Sequence, residues 1–161
     1  MGLSEVSAIL WRERQLLDTL AFKLKEEHLL LLAGEQQWLS KATLEVTEVL
    51  EAIKAAELSR ALETQDLIME FGLDPMPTLD ELAQATPAAW HQTFSDHKSG
   101  LMAALAKIAD LAELNRSILT RHLSAIAETL SMLGEVTGGS YDRAGAPSTN
   151  VAPSRLVDSS A

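Results

Sequence analysis

A chain of 161 residues fits a single domain, and its thirteen Lys plus Arg against twenty-three Asp plus Glu leave a net charge of −10. That balance repels phosphate backbones and anionic lipid alike and excludes nucleic acid as the expected partner. The absence of cysteine excludes a disulfide framework, a thiolate zinc site and a cysteine nucleophile, and suits a reducing compartment.

Leu and Ala dominate the apolar residues and aromatics make up only 4%. This mix favours helix over sheet, so the expected class is all-α. The N-terminus "MGLSEVSA" has no basic segment followed by an apolar one, and Val6 stands where a myristoylation motif needs Ser or Thr. The longest apolar run, "LLLLA" at 29–33, is far short of the roughly 20 residues of a membrane span. The expectation is a soluble, cytoplasmic protein with no membrane insertion.

The first predicted element is a helix. A 3/4 stripe runs Leu3, Val6, Leu10, Glu13, Leu17, Leu20, Leu24, Glu27, Leu31, a heptad-like seam broken only by its two glutamates. Gly34 supplies the left-handed residue that closes it, and so short a connection turns the next helix back antiparallel. A second stripe follows at Leu39, Ala42, Val46, Val49, Ile53, Ala56, Arg60, Glu63, Leu67. Together they predict a long helical hairpin. Gly72, Leu73, Pro75 and Pro77 in "FGLDPMPTLDEL" end it.

Thr78 with Glu81 forms a capping box for a short helix to about Ala85. Thr86 and Pro87 then read as N-cap and first residue of a final helix that continues to about Val136, with Gly100 allowing a gentle kink at Ser99-Gly100. The architecture expected is an elongated antiparallel hairpin plus a short and a long helix, a three-to-four-helix bundle over 1–137. Residues 138–161 read as a flexible Gly/Ser/Pro-rich tail, disordered in isolation.

No residue pattern calls for a catalytic site, a cofactor or a metal. His28, His91, His97 and His122 have no glutamate three residues before them, and no His-Glu-x-x-His, phosphate-binding glycine loop or Gly-x-Ser-x-Gly elbow occurs. The histidines read as surface or helix-flank residues, the carboxylates as solvated helix faces, and Trp11, Trp38 and Trp90 as core or rim packing.

The final helix carries more apolar width than one seam needs. One track holds Leu101, Leu105, Ile108, Ala112, Leu119, Ile126 and Leu133, the other Ala104, Leu111, Ile118 and Ala125. The surplus must be buried in a homo-oligomer, covered by the short helix or offered to a partner. Asn115 and His122 lie seven apart on this band, and a seam asparagine either fixes register or meets a partner. The candidate partner-binding residues are Leu111, Leu114, Asn115, Ile118, Leu119, His122 and Ile126. Tyr141, the one tyrosine, sits beyond the last packable helix in "GGSYDRAG", either as a docking residue or folded back onto the bundle end.

The order of a long helical hairpin, "FGLDPMPTLDELA", a final helix with "ELNRSIL" and then Tyr-x-x-x-Gly resembles the FlgN family of flagellar export chaperones across about residues 3 to 145. By position Arg60 matches the arginine late in the second helix, Gly72 the helix stop, Asn115 the asparagine of the final helix, and Tyr141 and Gly145 the closing signature. Where the family often has a second polar residue ahead of that asparagine, this chain has "LAEL". The resemblance implies a cytoplasmic chaperone that uses no ATP itself. It would bind the C-terminal segments of hook–filament junction proteins, prevent premature assembly and hand them to the flagellar type III export gate. The alternative from the residues alone is a helical-bundle adapter or coiled-coil oligomerisation module.

Overall fold

A computed structural model describes residues 2–137, which form four helices and no strand: α1 (Gly2–Ala33), α2 (Gln36–Phe71), α3 (Leu79–Ala85) and α4 (Ala88–Thr137). The all-α expectation holds. The described residues divide into two compact units, the first ending at Asn115 and the second beginning at Arg116, with the boundary inside α4. The predicted tail, Tyr141 and Gly145 lie outside the described residues.

The first unit is built on α1. All nine stripe positions are buried except Leu3, which is half-buried, so the helical period alone identified the packing face. Gly34 (φ 72°) closes α1 as predicted: the N–H of Glu35 donates to Leu30 O and that of Gly34 to Leu31 O. A side chain at this φ is strained, which is why glycine stands there. Gly72 (φ 62°) ends α2 in the same way, with the Leu73 N–H on Ile68 O.

α2 returns antiparallel along α1. Glu13 meets Arg60, Lys23 meets Glu45 and Glu27 meets Thr43, pairs in which one residue number rises as the other falls. α4 runs parallel to α1 instead: Ser7 meets His97, Leu24 and His28 meet Asn115, and the separations stay at 87 to 91 residues.

The hydrophobic core lies near the start of α1, where Val6, Leu10, Leu67, Leu82 and Phe94 are buried together. α3 contributes Leu82. Its capping box is formed as predicted, with Thr78 Oγ1 accepting from the Glu81 N–H and the Glu81 carboxylate accepting from the Thr78 N–H. Lys98 of α4 pairs with Asp80 of α3. The predicted start of α4 needs correcting: the helix begins at Ala88 rather than Pro87, and Thr86 closes α3, its N–H on Leu82 O and its hydroxyl on Ala83 O.

α4 is helical through Gly100 without interruption. A Cβ at Gly100 would lie 2.5 Å from the Arg14 Cζ. The glycine is therefore a seat for the Arg14 guanidinium, which stands 4.4 Å from the Trp11 ring centre in a cation–π contact.

Candidate partner-binding face

Two breaks in the α1 stripe turn out to be its polar anchors. Glu13 is buried and accepts from Arg60 Nε at 2.9 and 3.2 Å, so the desolvated carboxylate has its countercharge from α2. Glu27 lies two heptads on. It accepts from Thr43 of α2 through one oxygen and from the Asn115 side chain through the other.

Asn115 is 3% exposed. Its Nδ2 donates to Leu24 O and Glu27 Oε1, and its Oδ1 accepts from His28 Nδ1 at 3.0 Å. Both amide donors and the oxygen are taken by α1, so sliding α4 by a turn would strand several buried polar groups at once. Of the two roles open to a seam asparagine, the geometry displays the register lock.

The expectation of surface histidines fails at two positions. His28 is buried in the Asn115 network, and His97 is 1% exposed. His97 Nε2 lies 3.0 Å from Ser7 Oγ, its ring meets the edge of Trp11 at 5.3 Å, and its Nδ1 is buried without a hydrogen-bond partner. Burial, assisted by the nearby Arg14 cation, holds its pKa below the usual imidazole value. His91 meets Thr86 O, and His122 is exposed.

Leu111 and Leu114 belong to the first unit, Leu111 half-buried and Leu114 exposed. In the second unit Ile118 is half-buried, while Leu119 and Ile126 are exposed. The structure adds two residues that sequence reading missed. Leu119, Leu123, Ile126 and Leu130 are all exposed and spaced four, three, four, an unfilled heptad seam. The positions bordering it, Thr120, His122, Ala127 and Thr129, carry no carboxylate, lysine or arginine. Leu123 and Ile126, 67% and 53% exposed, retain the larger share of the roughly 1.5–3 kcal/mol that complete burial of such a side chain represents.

Elsewhere in the first unit Leu17 and Leu20 of α1, Leu50 and Ile53 of α2 and Leu101 and Leu105 of α4 line an apolar groove of about 350 Å³. Trp11 and Trp38 are exposed, whereas Trp90 packs on the core cluster. Among the described residues no His, Asp and Glu group could hold a metal, and no helix is long and apolar enough to cross a membrane.

The geometry defines a helical packing protein: polar locks fix α1 against its neighbours, and α4 leaves an apolar face open. A family model described as FlgN protein matches residues 1–149, and the chain belongs to the FlgN family. Its role is that of a flagellar export chaperone in general terms. Comparison with curated proteins and with solved structures gave no match.

Proposed function

We propose that this chain is a cytoplasmic chaperone for hook–filament junction proteins. It binds their disordered terminal segments as added helices on α4, prevents premature assembly and delivers them to the flagellar type III export gate. The observation that carries this reading is the exposed four-three-four seam at Leu119, Leu123, Ile126 and Leu130. An amphipathic segment that folds on binding needs such a stripe, because burial of its apolar side must offset the entropy of ordering it.

Ile118, one residue before Leu119 and so about 100° around α4 from it, borders the seam, while Leu111 and Leu114 in the first unit are separate candidate contacts. In this reading Asn115 positions α4, His122 borders the seam, and Tyr141 docks to the export gate or to cargo. Family membership supports the coarse role, and the apolar seam supports the cargo class.

Isothermal titration with the C-terminal segment of a hook–filament junction protein tests the reading. Saturable binding is expected for the full chain, and replacing both Ile118 and Ile126 by Asp should abolish it while circular dichroism stays that of a folded helix bundle. Intact binding by the folded double variant sinks the proposed face. No binding by the unaltered chain, with a segment shown competent elsewhere, would favour a helical adapter. A chain ending at Gly139 separates a role for Tyr141 in cargo binding from one in later delivery.

A further inference from the structure

α2 has an outer side that carries its own apolar line. Ala56, Arg60 and Leu67 mark the inner side: Ala56 and Leu67 are buried, and Arg60 reaches Glu13 of α1. Leu58, Leu62 and Met69 each follow one of these positions by two residues, so each stands about 200° around the helix from it. They are 64%, 58% and 75% exposed. Their spacing of four and seven puts them on one line, the pattern that a second helix covers when helices pack.

Beside that line run Glu63, Asp66 and Glu70, themselves spaced three and four and so a second row along the same helix. All three are exposed, and among the described residues none has an ion-pair or hydrogen-bond partner. The basic side chains nearest to them on α2 are already engaged, Lys54 by Glu51 and Arg60 by Glu13. From Leu58 to Glu70 the outer side of α2 is thus an apolar line with a carboxylate border and no free cation.

This border decides what can cover the line. A helix that buries Leu58, Leu62 and Met69 brings its own flank up to the three carboxylates. Lysine or arginine on that flank is attracted, and aspartate or glutamate is repelled. Nucleic acid and anionic lipid are turned away by the same charges. The exposed seam of α4 differs in kind, because its borders carry no charge and do not discriminate by sign.

We propose that the outer face of α2 docks an amphipathic helix of a partner protein, one whose apolar stripe is bordered by lysine or arginine. The inference goes beyond the chaperone reading and does not depend on it, because it uses a different helix from the proposed cargo face.

Fluorescence anisotropy tests the proposal with two designed helical peptides about three heptads long, which share a leucine stripe and differ in its borders, lysine in one and glutamate in the other. The full chain carrying Ile118→Asp and Ile126→Asp is titrated, so that the α4 seam does not contribute. Saturable binding of the lysine peptide is expected, about tenfold or more tighter than that of the glutamate peptide and weakened by salt. Leu58→Gln with Leu62→Gln should weaken it about tenfold or more while circular dichroism shows unchanged helix content. Glu63→Lys, Asp66→Lys and Glu70→Lys together should reverse the preference between the two peptides. A third peptide, with the lysines kept and the stripe leucines replaced by serine, should not bind. Absence of saturable binding by the lysine peptide, equal binding of the lysine and glutamate peptides, binding indifferent to the Leu58 and Leu62 changes, or binding of the serine peptide overturns the proposal.

Discussion

α4 contains two stretches that differ in what they bury. Up to Asn115 its Phe94, His97 and Asn115 are buried, while Leu119, Leu123, Ile126 and Leu130 are exposed. Periodicity states which side of a helix needs covering, whereas the covering itself depends on what else the chain supplies. The buried stretch also carries the polar residues, His97 and Asn115, and the open stretch presents a seam without charge at its borders. Polar groups inside a seam specify one partner and one register, and a plain apolar seam accepts any helix of matching width.

The sharpest way to break the comparison is to cut side chains from both stretches. Phe94→Ala removes a ring that is 0% exposed and should cost about 3–5 kcal/mol, whereas Leu123→Ala, at a site 67% exposed, should leave unfolding almost unchanged. Denaturant titration of the two variants measures the difference. Equal losses would mean that the second stretch is covered in solution. Next in size is Asn115→Leu, which leaves Glu27 and His28 without their partner and should cost about 1–3 kcal/mol.

The smallest effect is the pH response of His97. Its pKa is lowered in the fold by burial and then by Arg14, with Asp96 acting weakly the other way. A depressed pKa means that the unfolded chain binds the extra proton first. The contribution is therefore fully present above the unfolded imidazole value of about 6.5 and is lost as pH falls through the folded value. Thermal melting from neutral to mildly acidic pH should show this decline. His97→Phe should flatten it, and an unaltered pH slope in that variant would place the sensitivity elsewhere.

Much of the first unit was legible in the residues. The α1 stripe, both glycine stops and the Thr78–Glu81 box depend on local geometry, which a few neighbouring residues encode. The burial of Glu13, Glu27, His28 and His97 was not. Each is decided by a residue 16 to 90 positions away. The available signal was the placement of both glutamates on the stripe, fourteen residues apart, where a solvated carboxylate has no business. Thr86 failed for a different reason: a threonine between two helices can serve either end, and here its hydroxyl and its N–H both donate to α3 carbonyls, Ala83 O and Leu82 O.

The constant separation of 87 to 91 residues between partners on α1 and α4 bears on how the molecule comes into being. The hairpin of α1 and α2 is complete by Phe71, so a chain leaving the ribosome can close it before any of α4 has emerged. α4 then arrives late, on a template already in place, and settles where the Leu24 carbonyl, Glu27 and His28 await one asparagine. The last helix made is thus also the one whose departure leaves the hairpin's own ion pairs untouched, a natural place for the native state to open first.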